Sequence, residues 1–363
     1  MSTAPEVVIA QDDAGAVAPN QIESVLQTLW RQSSGEESEA SVVQVRTLNL
    51  LAFVPQSHAR PELMRTIEVV SVQHPGRTIT MLPVEGPQEP SAYAAIACRF
   101  GSGGKQFCGE QITITSGDQG APLPSITAAL LVAGVPTFLW WQGDPPFNGS
   151  IFKAFVESAD RVIVDSRTWD TPLATLRAFD EAVRSPALHS AYTDLQWTAL
   201  TPWRRLTAQC FDLPDARPHL DRIQQVTIEC GGEQCDRVAG LLFIGWLASR
   251  LGWTVLRATG DEILLQSGAT TITVTLRSHA GEREVRAVRL SSDSARVEIV
   301  YVPSTDRVQT EITLLNAAPI QRMSMMARQP LEQVVSSELN LLERDLGFET
   351  ALHVAAQLTP PAA

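Results

Sequence analysis

Cys230 and Cys235 bracket the turn CGGEQC, which joins a strand-like segment to a helix-like one. Cys235 falls at or near the helix N-terminus, where the helix dipole favours a thiolate. Gly231 and Gly232 leave the turn free enough for the two sulfurs to approach, so the pair reads as a redox candidate. The plainer reading is two small apolar residues flanking a tight turn, because a lowered thiol pKa does not by itself make a disulfide. Cys98 and Cys108 lie on two strand-like segments around GSGGK and could face each other, with core packing as the default. GSGGKQ resembles a phosphate loop and fails in detail. Arg99 stands where the first glycine belongs, and Gln106 follows Lys105 in place of Ser or Thr. A hairpin turn is the better reading.

The other footprints of catalysis are missing from the sequence. There is no three-glycine dinucleotide fingerprint after the first strand and no Gly-x-Ser-x-Gly elbow. The six histidines are spread widely and make no zinc pattern with the cysteines. No catalytic residue, cofactor ligand or metal ligand is therefore assigned. Aromatic segments stand out instead. FLWWQGDPPF places Trp140 and Trp141 at a strand end, followed by Gly143, Asp144, Pro145 and Pro146. DLQWTALTPWRRL carries Trp197, Trp203, Arg204 and Arg205. Trp and Arg are enriched in interface hot spots, which makes these residues partner-binding candidates. The competing reading is that the tryptophans fill the core.

The elements that must position these residues follow from periodicity. Residues 1–19 show none and read as a disordered tail. From 20 to 214, strands (SVVQVRTLNLLAFV, TITMLPV, PTFLWW, DRVIVDS) alternate with helices (PELMRTIEVVSVQ, SITAALLVAG, TPLATLRAFDEAV). Thr171 is placed to cap the last of these, and Gly134 to end SITAALLVAG. That alternation predicts an α/β domain with a mostly parallel sheet covered on both faces. LPDARPHLDR marks a boundary near 214. Residues 222–330 then predict a smaller α+β domain. Gln234–Leu251 is a helix apolar almost all round, hence buried, followed by six short strands forming an antiparallel meander with one wet face. Residues 331–348 form a closing helix.

The formal net charge of -12 disfavours nucleic acid and anionic membranes as partners. The apolar stretches are too short for a membrane span, the start has no leader-like pattern, and five scattered cysteines do not suggest a secreted disulfide framework. A reducing cytoplasm is the expected compartment.

HPGRTITMLP, FCGEQITIT, VPTFLWWQGDPPF, DRVIVDS and DLQWTALTPWRRLTAQCFD, in this order, resemble the glucose-6-phosphate dehydrogenase assembly protein family, OpcA. LLFIGWLASRLGW also fits, and the resemblance spans roughly residues 40–320. It implies a non-catalytic partner of glucose-6-phosphate dehydrogenase that promotes the active oligomer and raises its activity. The route implied is the oxidative pentose phosphate pathway, which makes NADPH. In photosynthetic bacteria the family also implies thioredoxin-linked redox control, with no cysteine of this chain matched to it. The rival expectation is an α/β enzyme or binding protein for a sugar phosphate or nucleotide, with Asp144 and Asp165 as site residues.

Overall fold

The computed structural model describes residues 7–11, 15–33, 41–101, 105–185, 189–231, 234–259, 262–279 and 285–359. Its strands β1 (Val7–Gln11), β2 (Ser41–Gln44), β3 (Asn49–Phe53), β4 (Arg77–Pro83), β5 (Ser91–Phe100), β6 (Lys105–Ser116), β7 (Thr137–Trp141), β8 (Arg161–Val164) and β9 (Ala191–Asp194) make one sheet. Helices α1 (Ile22–Ser33), α2 (Pro61–Gln73), α3 (Leu123–Leu130) and α4 (Ser150–Val156) are interspersed among them. The strand order is β1-β5-β6-β4-β3-β7-β8-β9, with β2 on β6. Strands β6, β4, β3, β7 and β8 run parallel, while β5 and β1 add on antiparallel. Strands β3, β7 and β8 are buried along their whole length, as expected where both faces are covered.

Next in the chain come α5 (Pro172–Val183), α6 (Leu195–Ala199), α7 (Thr201–Cys210), β10 (Gln225–Gly231) and α8 (Gln234–Leu251). A second sheet follows: β11 (Thr254–Thr259), β12 (Glu262–Ser267), β13 (Thr270–His279), β14 (Ala287–Ser291), β15 (Ala295–Val302), β16 (Arg307–Leu314) and β17 (Ile320–Met325). Its order is β11-β12-β13-β10-β14-β15-β16-β17, antiparallel except for β10 beside β13. The chain closes with α9 (Leu331–Glu338) and α10 (Leu346–Gln357). An α/β part with a parallel sheet and a part with an antiparallel meander are thus both present, and α8 has the predicted bounds.

Several expectations are corrected. The segment read as a disordered tail contains β1, whose Val-Val-Ile run supplies the edge partner β5 needs. The strand read over SVVQVRTLNLLAFV is two, β2 and β3. The closing helix is also two, because Asp345 begins α10 afresh: its Oδ1 accepts the Phe348 amide at 3.0 Å. Helix α3 stops at Leu130, well before Gly134, because the Asn49 side chain takes over the next backbone group. Asn49 Oδ1 accepts from the Val132 amide at 2.9 Å, and its Nδ2 donates to the Val132 carbonyl at 3.0 Å. Thr171 makes no side-chain cap on α5; its hydroxyl lies 3.1 Å from that of Thr175.

The chain forms two compact units that differ from a division at 214. One holds Met1–Asp165, His189–Thr193 and Leu331–Arg344; the other holds Ser166–Leu188, Asp194–Pro330 and Asp345–Ala363. In the first, Arg161, 1 % exposed, donates to Glu338 Oε2 at 2.6 Å and to the Glu343 carbonyl at 2.8 Å. That buried pair holds the α9 segment to the first unit despite its distance in sequence. Glu110 of β6 is a second anchor. It accepts from Trp30 Nε1 at 2.8 Å, Gln44 Nε2 at 3.0 Å, Arg46 Nη2 at 3.1 Å and Arg77 Nε at 2.7 Å, so one carboxylate ties α1, β2, β4 and β6.

In the second unit α8 is buried through Val238, Leu241, Leu242, Phe243, Ile244 and Leu247. Gly245 lets α10 lie directly on it: a Cβ there would stand 2.1 Å from the Ala351 carbonyl oxygen. The sheet's inner face alternates cleanly, with Val226 and Ile228, Val288 and Leu290, Val297 and Ile299, and Val308 and Ile312 buried.

Candidate functional site

Strand order reverses between β3 and β7, since the chain builds outward from β3 to β4 and β6 and then returns to lay β7 on the other side. Open α/β sheets bind ligands in the crevice at such a switch point. Here rings occupy it. Phe53 and Trp141, paired at the strand ends, stack at 3.8 Å with planes 5° apart. Helix α4 adds Phe152, edge-on to Trp141 at 5.0 Å, and Phe155, edge-on to Phe53 at 5.9 Å. Phe147 closes on Phe152 at 5.4 Å. The β3–α2 loop, Val54–Arg60, carries no glycine. The ring of His58 sits against Gly143, whose φ of +76° and missing Cβ both suit the turn after β7.

Trp140 and Trp141 are therefore core residues, 1 % and 3 % exposed, and Pro145 is buried beside them. Asp144 is half-buried and Pro146 exposed. The second aromatic string is likewise turned inward. Asp194 Oδ1 accepts from the amides of Gln196 and Ser166, each at 3.0 Å, which starts α6. Trp197 Nε1 donates to Asp345 Oδ2 at 2.8 Å, and its ring packs on Phe348. The Arg204 guanidinium lies 3.4 Å from the Trp197 ring centre and donates to the Trp197 carbonyl at 2.6 Å. Trp203 is 4 % exposed. The four tryptophans pictured as surface anchors are thus packed inside the chain. Arg205 stays exposed and Arg204 half-exposed.

Cys230 is buried in the wall between β10 and α8, where a Cβ on Gly240 would stand 3.0 Å from its sulfur. The Cys235 side chain lies outside the described residues. Cys98 and Cys108, directly opposed on β5 and β6, are joined as a disulfide rather than packed as two thiols.

The surface without a cover is the outer face of the second sheet. A charged row crosses it: Arg289 donates to Glu229 at 2.5 Å and to Glu298 at 3.0 Å, and Gln321 donates to Glu311 at 2.8 Å. The shallow depression around Arg289 encloses about 840 Å³. Towards β17 the face turns apolar. Met323 opposes Gln309 and Met325 opposes Arg307, placing both side chains on the outer face, 52 % and 70 % exposed. Leu315, 68 % exposed, precedes them. Strand β17 is the end of the sheet order, so its outer backbone edge is unpaired among the described residues. Edge backbone and flexible methionines together suit protein binding. The sequence reading missed this strand; the Met-Ser-Met alternation was its one local signal.

Among the described residues no group of three or more His, Cys, Asp or Glu could hold a metal ion, and no helix is long and apolar enough to cross a membrane. Among solved structures the chain is similar to a point mutant of KijD10, a 3-ketoreductase from Actinomadura kijaniata in complex with TDP-benzene and NADP. The TM-score is 0.50 at 12 % identity, over 86 % of this chain and 96 % of that one. At that identity the likeness concerns the fold alone. Among curated proteins it is similar to OxPP cycle proteins named OpcA. That of Nostoc punctiforme is 29 % identical over 81 % of this chain and 67 % of its own length. That of Synechocystis sp. is 30 % identical over 52 % of this chain and 39 % of its own. That of Synechococcus elongatus is 26 % identical over 66 % and 50 %. The match thus spans half or less of the latter two. Residues 67–181 match the glucose-6-phosphate dehydrogenase subunit N-terminal domain and residues 190–352 its C-terminal domain. With both domains present in order, and the aromatic strings inside them, this chain belongs to the OpcA family of glucose-6-phosphate dehydrogenase assembly proteins.

Proposed function

We propose that this chain is a non-catalytic partner of glucose-6-phosphate dehydrogenase that binds it, promotes its active oligomer and raises its activity. The observation that carries this reading is the stacked Phe53–Trp141 pair in the switch-point crevice. The chain's own rings are stacked at the strand ends where such a sheet would hold a ligand. The exposed Met323 and Met325 on the edge strand supply a surface that a polypeptide could cover. On this reading the partner-binding residues are those that remain at the surface: in the first unit Asp144 and Pro146, and in the second Arg204, Arg205 and the β17 methionines.

An activator of this kind works by binding the active state of the dehydrogenase more tightly than the inactive one, and the shift cannot exceed that difference in affinity. It acts in the cytoplasm, beside the enzyme whose NADPH output it raises. Thioredoxin-linked control would operate through a cysteine pair, with Cys98–Cys108 and Cys230/Cys235 as the pairs to compare. The test is an assay of purified glucose-6-phosphate dehydrogenase with and without this chain, alongside gel filtration of the mixture. Co-elution with a lowered half-saturating substrate concentration is expected. No co-elution and unchanged kinetics would overturn the reading.

A further inference from the structure

We propose that a cavity in the first unit, where α2 lies against β4, β6 and β5, binds an uncharged monosaccharide in its pyranose form. The cavity encloses about 190 Å³, and Glu68, Thr78, Thr80, Tyr93, Gln111 and Thr113 line it. At ~30 Å³ of liquid volume per water there is room for about six waters, or for one pyranose ring with its hydroxyls. None of the rings stacked at the ends of β3 and β7 lines it, so it is distinct from that crevice.

The sheet itself sets out the polar groups. Tyr93, Thr113 and Thr80 stand side by side across β5, β6 and β4, and Ala95, Gln111 and Thr78 form the next row. Side chains two apart on a strand share a face, so both rows look towards α2.

Three features point to that ligand. First, Thr78 and Thr80 are 2 % and 4 % exposed, and neither hydroxyl has a hydrogen-bond partner among the described residues. Buried polar groups are normally paired, and one left unmade is costly. Gln111 adds to them: its Nε2 donates to Ser71 Oγ, and its Oε1 receives no donor among the described residues. Threonine hydroxyls both donate and accept, as do the hydroxyls of a sugar, so each can find a partner in the other. Second, the charge of the cavity excludes an anion. No described lining residue is basic, and the one charged residue, Glu68, is acidic. A carboxylate accepts from sugar hydroxyls and repels a phosphate. Third, Tyr93 is 54 % exposed and Met64 also lines the cavity. They give an apolar surface for the C–H faces of a pyranose ring, which a cluster of waters would leave unused.

The test is saturation-transfer NMR titration of the full chain, without the dehydrogenase, using d-glucose, d-glucose 6-phosphate and glycerol as probes. Saturable binding of d-glucose is expected, with the 6-phosphate weaker through repulsion by Glu68 and glycerol weaker because it fills less of the cavity. Thr80→Val keeps the shape and removes one unpartnered hydroxyl. It is expected to weaken d-glucose about tenfold while leaving the unfolding midpoint unchanged or higher. Should Thr80→Val alter the circular dichroism spectrum, Thr113→Val, at a half-buried position, carries the same expectation for binding. Tyr93→Ala is expected to weaken d-glucose about fivefold, and Glu68→Gln to narrow the gap between d-glucose and its 6-phosphate. Arg296→Gln, in the second unit, is expected to leave binding unchanged. Absence of saturable d-glucose binding, full affinity in the threonine variants, or a 6-phosphate that binds as tightly as d-glucose would overturn the proposal. Co-elution with the dehydrogenase is a separate measurement, so either idea can fail alone.

Discussion

At the ends of β3 and β7, Phe53 and Trp141 cover each other; on β16 and β17, Met323 lies opposite Gln309 and is 52 % exposed. The same contrast holds for charge. Glu110 is buried under four donors in the first unit, while Arg289 and its two glutamates lie across an open sheet face in the second. The difference teaches where this chain can interact. Rings packed on one another contribute stability. An uncovered face contributes little stability and keeps its side chains free to meet a partner.

Substitutions can break that contrast, and the largest effect is expected in the ring stack. Trp141→Ala should destabilise the chain by about 3–5 kcal/mol in denaturant unfolding, the usual cost of truncating a buried aromatic side chain. A loss below about 1 kcal/mol would mean that the crevice is not core. Glu110→Gln comes next, at up to about 3 kcal/mol, because it removes the buried one of the two carboxylates on Arg77 and leaves only the half-exposed Glu23. Burial alone pushes the Glu110 carboxyl up, but hydrogen bonds from Arg77 and Trp30 and the charges of Arg77 and Arg46 outweigh it and hold it below its ordinary value. The contribution of a group lowered in this way is complete above the unfolded glutamate pKa and is lost as pH falls through the folded one. The gap between unmodified chain and Glu110→Gln should therefore shrink below roughly pH 4. A gap that widened in acid would contradict the buried network. By contrast, Arg289→Ala on the open face should cost no more than about 1 kcal/mol, and less in high salt.

The smallest change in stability is expected for Met323→Ser with Met325→Ser, within about 0.5 kcal/mol, since neither side chain is packed. Their effect should appear in binding instead, as a loss of tenfold or more in affinity for glucose-6-phosphate dehydrogenase. Unchanged co-elution of this double variant would move the interface elsewhere, with Arg205→Ala and Pro146→Ala as the next surface positions to compare.

Much of the architecture was legible from residue order. Continuous apolar runs in TFLWW and RVIV announced strands buried on both faces, and the all-round apolar Gln234–Leu251 announced a buried helix. Motif by motif, the lack of phosphate-cradling glycines was also readable, as was the family resemblance in the two tryptophan strings. These properties are local: periodicity, turn chemistry and spacing act over a few neighbouring residues. Which surface those strings face was not local. Composition alone could not tell an interface tryptophan from a core one, because an indole suits both until its neighbours are known. Only the fold brought Phe53 onto Trp141 and Phe348 onto Trp197, across long stretches of chain, and so buried the predicted anchors. The same holds for the division into units. A proline-rich linker near 214 looked like a border, yet membership was decided by Arg161 reaching Glu338 and by Ala351 reaching Gly245. Contacts of that range depend on which surfaces meet in three dimensions, and no window of sequence contains both partners.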